Sequence, residues 1–212
     1  MGDTVLYDYW RSSASYRMRI ALHLAEIPYT SVAVDLTRAQ QRTPEHLARN
    51  PQGFVPVLDI DGERLTQSLA MLEYLDETRK LGLLPDGPVS RAKVRALSYA
   101  IAVDIHPVCN LSVAGFAKEL AGNDDATKSW MHRFIRPGLE AFETLLKDFD
   151  QDPYCCGDKP GLADICLMPQ LYNAARWGVE TSDLTRLTAA AGACAAHPAF
   201  DAAHPDKWQP ER

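Results

Sequence analysis

The sequence predicts two domains of different fold class, an α/β domain over residues 1–82 and an all-helical domain over residues 90–212. Strand-type and helix-type hydrophobic patterns alternate through the first 80 residues, which is typical of an α/β unit. A segment rich in proline and glycine follows at 83–90 and is typical of a linker. Beyond it the apolar residues recur at helical spacing. With 212 residues, 46% of them hydrophobic, the chain can build two small packed cores.

The first domain is predicted in the order β-α-β-α-β-β-α. Short apolar and β-branched runs indicate the strands, and apolar residues three or four apart indicate the helices. Pro44 suits the first position of a helix. The Asp61-Gly62 pair is a hairpin signal, so the last two strands should be antiparallel. The predicted strands are 5–10, 29–36, 54–60 and 63–66, and the predicted helices are 14–26, 43–49 and 68–80.

The second domain is predicted from four segments with apolar residues on one helical face. In the first of them Val94, Leu97 and Ile101 share that face. The last is rich in alanine and should end at His197, because the residue before a proline is disfavoured in a helix. The four predicted helices are 91–103, 130–149, 162–176 and 185–196.

Charge and cysteine content argue against several classes of function. The net charge of −6 disfavours nucleic-acid binding, which needs basic patches. The five cysteines are odd in number, fit no metal spacing and include no Cys-x-x-Cys motif. We therefore expect a protein of the reducing cytoplasm, without a bound metal. No apolar run approaches membrane-spanning length and none before the first strand resembles a signal peptide, so we expect no membrane partner.

The most informative segment joins the first strand to the first helix. The apolar run Val5–Trp10 ends in a polar turn that opens directly into a helical pattern. The first turn of a helix has unpaired N–H groups and favours negative charge. The hydroxyls of Ser12 and Ser13 can donate to an anion there, and a thiolate held in this way is a nucleophile at neutral pH. The alternative is structural, because serine is also a preferred helix N-cap.

Two further segments have both a structural and a functional interpretation. Pro56 opens a strand, where a residue without an N–H group is tolerated. A cis bond there would present the backbone of Val55 to an extended peptide ligand, and the sequence leaves the isomer open. At the next helix start, Ser68 is either an N-cap or, with Gln67, part of a site for a carboxylate and its amino-acid group.

Together these motifs resemble the glutathione transferase superfamily, and more narrowly its zeta class, whose best-known members are maleylacetoacetate isomerases. The matching segments are 11–22 (RSSASYRMRIAL), 50–52, 55–56, 67–70, 73–75, 105–107, 110–112, 154–158, 163–164, 168–170 and 173–176. The resemblance covers nearly the whole chain. It implies an α/β thioredoxin-like N-terminal domain plus an all-α C-terminal domain, the glutathione transferase fold, usually as a homodimer.

The resemblance also implies glutathione as cofactor, bound along the N-terminal domain. Ser12 or Ser13 would stabilise its thiolate, and Val55 would pair with its cysteinyl backbone. Gln67 and Ser68 would hold its γ-glutamyl end. The residues implied to contact glutathione are Ser12, Ser13, Arg17, Gln41, Val55, Pro56, Gln67, Ser68, His106, Asn110, Leu111 and Ser112.

The activity implied by the resemblance is glutathione-dependent cis–trans isomerisation of a maleyl oxo-acid, in the breakdown of tyrosine or another aromatic compound. Maleylacetoacetate and maleylpyruvate are both open as the dicarboxylate substrate. Ser12 and Ser13 would be the catalytic residues. Arg11 and Arg176 are candidates for binding the carboxylates of the substrate, which suits the bidentate geometry of arginine.

Two departures from the family pattern bear on this expectation. Ala14 stands where the family's Ser-Ser-Cys motif has a cysteine that assists isomerisation in some members. Gly161 stands where the central helix usually begins with serine or threonine, although glycine is a tolerable N-cap.

Two alternatives therefore stay open: a transferase or dehalogenase acting on α-halo acids or other electrophiles, and a non-catalytic glutathione-binding protein. A thioredoxin-like oxidoreductase is disfavoured, because the start of the first helix has no cysteine.

Overall fold

The computed structural model of the chain describes residues 3–210. They form two compact units. The first comprises the described residues up to Gly82 together with those from His197 onward, and the second comprises Leu83–Ala196. The division differs from the predicted domains, 1–82 and 90–212, because the C-terminal segment packs with the N-terminal unit.

The first unit contains a mixed four-stranded sheet in the order β2-β1-β3-β4. Its strands are β1 (Val5–Asp8), β2 (Thr30–Ala33), β3 (Val57–Ile60) and β4 (Glu63–Thr66). Strand β1 runs parallel to β2 and antiparallel to β3, and β4 is antiparallel to β3. The predicted hairpin and the mixed sheet are confirmed.

The α-helices in chain order are α1 (Ser13–Leu24), α2 (Pro44–Arg49), α3 (Ser68–Arg79), α4 (Pro88–Tyr99), α5 (Leu111–Ala121), α6 (Ala126–Leu145), α7 (Leu162–Arg176), α8 (Thr185–Ala196) and α9 (Pro198–Ala202). A π-helix, Ala100–Ile105, continues α4. Short 3-10 helices lie at Leu36–Arg38, Gln40–Arg42, Leu146–Asp148 and Pro205–Lys207. Within the described residues, no helix combines the length and the apolar character needed to cross a bilayer.

The core of the first unit forms where α1 and α3 pack together and carry apolar side chains away from water. Each such fully buried large side chain contributes about 1.5–3 kcal/mol by leaving water. Its fully buried apolar residues include Leu6, Met18, Ile20, Leu22, Val57, Leu58, Met71, Leu72 and Leu75.

The C-terminal segment joins the first unit through a buried arginine. Arg19 of α1 donates from Nε to the carbonyl of Ala203 at 3.2 Å and from Nη2 to the carbonyl of Trp10 at 2.7 Å. Its Nη1 forms a 2.5 Å ion pair with Asp8. Burial raises the pKa of the Asp8 carboxyl, and the Arg19 guanidinium acts in the opposite direction. A buried charge of this kind requires its partners, so residues after α8 belong with α1.

Three of the four strands are shorter than predicted. β2 is Thr30–Ala33, where 29–36 was predicted, because Asp35 caps the 3-10 helix Leu36–Arg38 that follows. The other two are shortened where side chains bind the backbone. β1 ends at Asp8, where 5–10 was predicted, because the N–H of Tyr9 donates to Ser15 Oγ at 3.4 Å. β3 begins at Val57, where 54–60 was predicted, because the carbonyl of Phe54 accepts from side chains of α2 and of the loop that follows it.

The second unit is helical throughout its described elements, as the sequence predicts. Helices α7 and α8 match the predicted bounds. Helix α5 was not predicted, although an Asn110 N-cap and a left-handed Gly122 bracket it. The predicted linker is also partly wrong, because Leu83 and Leu84 are buried and the Leu83 carbonyl accepts from the N–H of Leu162 at 3.0 Å.

The start of α7 is organised by a buried carboxylate. Gly161 is its N-cap, and the N–H of Gly161 donates to Asp164 Oδ2 at 2.9 Å. Asp164 Oδ1 accepts from the N–H of Cys155 at 2.9 Å. Glycine has no side chain that could cap the helix. The Asp164 carboxylate therefore accepts the N–H groups at the helix start and in the preceding loop.

A close approach within this unit explains one glycine. A Cβ added at Gly138 of α6 would lie 2.4 Å from Cδ1 of Ile105, which is buried. Real Cβ atoms do not approach another carbon so closely. Gly138 is therefore required by packing between α6 and the π-helix.

We expect Gly138→Ala to lower the free energy of unfolding by about 1–3 kcal/mol, because Ile105 must move from its packed position. The matched control is Gly192→Ala in α8, where an added Cβ meets nothing within 4 Å and stability should rise by up to about 1 kcal/mol. Urea unfolding of both variants checks this. Equal effects of the two substitutions would contradict the packing argument.

Candidate active site

One end of the sheet of the first unit collects three of the segments that the sequence singled out. Because β3 is antiparallel to β1, with Val57 opposite Tyr7, the chain leaving β1 and the chain entering β3 lie at the same end. Thr66 of β4 is also opposite Val57, so the chain leaving β4 arrives there too. Ser12, Pro56 and their neighbours are brought together by strand pairing alone.

The N-terminus of α1 contributes the two predicted serines. Ser12 is the N-cap, and its Oγ accepts from the N–H of Ser15 at 3.2 Å. The structural interpretation of Ser12 therefore holds. The functional one is compatible with it, because a hydroxyl oxygen that accepts one hydrogen bond keeps its own proton to donate. Ser13 begins α1 and is half-buried, within the first turn whose N–H groups have no helical partner.

The N-terminus of α3 lies at the same end of the sheet. Ser68 is its first residue and Gln67 takes the N-cap position, so the interpretation of Ser68 as N-cap is wrong. The hydroxyl of Ser68 instead accepts from Nη1 of Arg17 at 3.2 Å. Arg17 is only 2% exposed. A buried guanidinium and the positive end of a helix dipole therefore coincide, and both favour an anion at this place.

Gln67 has a backbone conformation that is rare for a residue with a side chain. Its φ is 68° and its ψ is 104°, which lies outside the left-handed helical region that such residues occasionally adopt. Conformations of this kind cost on the order of 1–3 kcal/mol and cluster at functional sites. The exposed side chain is held by a hydrogen bond from its Nε2 to Gln52 Oε1 at 2.9 Å.

The peptide bond between Val55 and Pro56 is cis, the isomer that the sequence left open. Pro56 is buried and Val55 is half-buried, and both lie just before β3. A second cis bond, between Asp152 and Pro153 in the second unit, was not predicted.

Two other candidates in the first unit have defined surroundings. The guanidinium of Arg11 lies 5.3 Å from the centroid of the Trp10 ring and 5.9 Å from that of Tyr9, so cation–π contacts hold it. Gln41 lies in the 3-10 helix Gln40–Arg42, and its Oε1 is buried without a hydrogen-bond partner. No described contact connects Gln41 with the serines or with Gln67.

The remaining candidates belong to the second unit. His106 follows the π-helix, and its N–H donates to the carbonyl of Ile101 at 2.9 Å. Asn110 is the N-cap of α5, and Ser112 donates to it from its N–H at 3.3 Å. The candidates exposed on this unit are Leu111, Ser112 and, as the last residue of α7, Arg176.

Four of the chain's five cysteines have raised thiol pKa values, which makes them poor nucleophiles. Burial raises the pKa of the Cys109 thiol to about 11 and that of Cys156 to about 12. Burial and the Asp164 carboxylate also raise the pKa values of Cys155 and Cys194. In the described part of the chain, no three acidic, cysteine or histidine side chains come together as metal ligands. A thiolate at the α1 terminus must therefore come from a ligand.

The sequence analysis did not predict the hydrogen bonds that hold the loop before β3. Asn50 donates from Nδ2 to the Phe54 carbonyl at 3.1 Å and accepts from the N–H of Gln52 at 3.1 Å. His46 makes a second bond to the same carbonyl. Residues 50–52 entered the sequence analysis only as a segment that resembles the family, and nothing there indicated which carbonyl the Asn50 amide would bind.

Comparisons with known proteins agree with this architecture. The family model "Glutathione S-transferase, N-terminal domain" matches residues 3–77, and the model "Glutathione S-transferase, C-terminal domain" matches residues 130–202. The chain belongs to the glutathione transferase family. The α/β thioredoxin-like domain plus all-α domain is thereby confirmed as its fold class.

The relatives narrow the family to the predicted class. The chain is 58% identical to a maleylacetoacetate isomerase of Rhizobium meliloti strain 1021, over 98% of this chain and 99% of that protein. A holo structure of a maleyl pyruvate isomerase, a bacterial zeta-class glutathione S-transferase, superimposes with a TM-score of 0.93. It is 37% identical and the match covers 98% of this chain and 99% of that one. The zeta-class resemblance is confirmed.

A further solved relative contains the expected cofactor. The maleylacetoacetate isomerase from Anaeromyxobacter dehalogenans 2CP-1 has glutathione bound in its active site. It superimposes with a TM-score of 0.87 at 40% identity, over 99% of this chain and 97% of that one.

We expect Gln67→Gly to be more stable than Gln67→Ala by about 1–3 kcal/mol, because glycine, which lacks a Cβ, adopts a positive φ with less strain than alanine. Both variants lose the bond to Gln52, so the pair isolates the backbone contribution. Urea unfolding measures the difference. Equal stability of the two variants would show that Gln67 is not strained.

Proposed function

We propose that this protein catalyses glutathione-dependent cis–trans isomerisation of a maleyl oxo-acid, maleylacetoacetate or maleylpyruvate, to its fumaryl isomer. The observation that carries the proposal is the convergence of the α1 and α3 N-termini, with Ser12 and Ser68, at one end of the sheet. It occurs in a chain 58% identical to a maleylacetoacetate isomerase.

The donor set at this end of the sheet fits glutathione, a tripeptide with a thiol and two carboxylates. The α3 N-terminus, with the buried Arg17 beside Ser68, suits the γ-glutamyl carboxylate. The exposed Gln67 amide suits the neighbouring amino-acid group. Val55 at the strand start offers backbone for the cysteinyl residue, and the α1 N-terminus suits the thiolate.

When bound, glutathione supplies a thiolate nucleophile that removes the double-bond character of the substrate long enough for rotation and is then released unchanged. Ser12 lowers the free energy of that thiolate, because its hydroxyl proton is free to donate while its oxygen is fixed by the N–H of Ser15. The N–H of Ser13, in the first turn of α1, adds to the positive potential that stabilises the thiolate. These groups are held before the ligand arrives, so little reorganisation is needed.

The substrate is a dicarboxylate, and we assign its binding to arginines. The Arg11 guanidinium is placed by the Trp10 and Tyr9 rings, which leaves its N–H groups able to take a carboxylate in bidentate fashion. Arg176 is exposed at the end of α7 and is the second candidate. His106, Asn110, Leu111, Ser112 and Gln41 are proposed as further glutathione contacts on the family pattern.

The proposal needs no thiol from the protein. Ala14 replaces the family cysteine at the α1 terminus, and the buried thiols of Cys155 and Cys194 have raised pKa values. The bound cofactor is then the nucleophile on its own. We further propose a homodimer in the cytoplasm, as the family pattern implies.

The deciding experiment follows loss of the ultraviolet absorbance of maleylacetoacetate and of maleylpyruvate, with and without glutathione, while a second assay counts free thiols. We expect isomerisation that requires glutathione and consumes none. Thiol loss with an α-halo acid and no isomerisation would favour the dehalogenase. Glutathione binding without either reaction would favour a non-catalytic binding protein.

We expect Ser12→Ala to lower kcat/KM for isomerisation by about 100-fold, the usual effect of removing one donor to a reacting anion. The variant also loses its helix cap, at a cost of about 1 kcal/mol. Ser12→Thr is the matched control, because it keeps both the hydroxyl and the cap. A fully active alanine variant would remove Ser12 from the catalytic role.

A further inference from the structure

We propose that His46 is a positioning residue for glutathione, acting through the carbonyl of Phe54 on the N–H of Val55. The inference rests on the proposed function, because it assigns how the protein aims one of its glutathione contacts. His46 lies on α2, beside the loop that contains Phe54 and Val55, and is 2% exposed.

The geometry places two donors on one acceptor. Nε2 of His46 lies 3.0 Å from the carbonyl oxygen of Phe54, and Nδ2 of Asn50 lies 3.1 Å from the same oxygen. The carbonyl can only accept, so the His46 ring carries a proton on Nε2. A carbonyl oxygen has two lone pairs, and here the two side chains fill both.

Fixing this oxygen fixes the next N–H group. The C=O of Phe54 and the N–H of Val55 belong to one planar peptide unit, so they cannot turn independently. Phe54 is 43% exposed, so its side chain does not anchor the segment in the apolar core. The two hydrogen bonds from His46 and Asn50, which we call the polar anchor, set the orientation of the Phe54–Val55 peptide plane.

The same anchor extends to the strained residue at the start of α3. Asn50 accepts from the N–H of Gln52 at 3.1 Å, and Gln52 accepts from Nε2 of Gln67 at 2.9 Å. Asn50, which shares the Phe54 carbonyl with His46, therefore connects the peptide of Val55 with Gln67. Val55 and Gln67 are the two proposed contacts for the cysteinyl and γ-glutamyl parts of glutathione. Neither His46 nor Asn50 reaches the α1 terminus in any described hydrogen bond.

This arrangement predicts a loss of binding without a loss of chemistry. His46→Met keeps the length of the side chain and removes the donor, and His46→Gln keeps a donor of similar reach. We expect the Met variant to raise both the Kd and the KM for glutathione by about three- to tenfold, the usual range for one buried hydrogen bond. Its kcat at saturating glutathione should stay within about twofold of wild type, because an interaction common to ground and transition states changes KM alone.

The Gln variant should bind glutathione within about twofold of wild type. His23→Phe is the control, because His23 lies at the far end of α1 against Tyr29 and Trp208. It should leave glutathione binding unchanged. Titration calorimetry with glutathione gives Kd, and steady-state kinetics give the KM and kcat values. If the Met variant does not fold, His46→Phe, which keeps a ring without a donor, replaces it.

The outcomes separate this inference from the proposed function. If the wild-type protein does not bind glutathione, the proposed function fails. If it binds and the Met or Phe variant binds equally well, the positioning role of His46 is wrong. Equal losses in the Gln and Met variants would assign the effect to packing, and a fall in kcat with an unchanged KM would also overturn the inference.

Discussion

The antiparallel pairing of β3 with β1 is the constraint on which the candidate site depends. It places the chain that leaves β1 and the chain that enters β3 at one end of the sheet, and the pairing of β4 with β3 brings the start of α3 to the same end. The α1 and α3 N-termini then add their unpaired N–H groups. A slip of one residue in this register would send the core side chains of β3 to the opposite face.

Around this frame, buried polar side chains hold residues of the candidate site in place. Arg17 supports Ser68 from within the unit, and Asn50 with His46 supports the loop before β3. Buried polar groups are costly unless they are hydrogen-bonded. Their hydrogen bonds fix Ser68 and the carbonyl of Phe54. The bond from Gln67 to Gln52 helps to hold Gln67 in a conformation that the residue alone would not adopt.

The sequence predicted those parts of the molecule that depend on local pattern. β4, α7 and α8 have the predicted bounds because turn residues and helical periodicity mark both of their ends. The predicted strands β1, β2 and β3 were too long. In β1 the apolar residues continue beyond Asp8, and in β3 they begin before Val57, where Ser15, His46 and Asn50 bind the backbone groups. Such bonds join residues separated by several positions and leave no trace in hydrophobicity.

The same limit applies to the site. Ser12, Gln67 and Ser68 were found because residues at helix starts have a recognisable chemistry, and family resemblance named the ligand. Helix α5 was missed although Val113, Phe116 and Leu120 recur at helical spacing. In the structure these side chains are exposed. The position of the C-terminal segment was not predicted, because the bond from Arg19 to the carbonyl of Ala203 joins residues 184 positions apart.

The central claim is that the α1 terminus stabilises a thiolate. It is tested most directly by titrating the ultraviolet thiolate absorbance of glutathione bound to the wild-type protein. Our account predicts a thiol pKa at least about one unit below the ordinary value of about 8.5. An unshifted pKa in the saturated complex would contradict it, and the isomerase mechanism would lose its nucleophile.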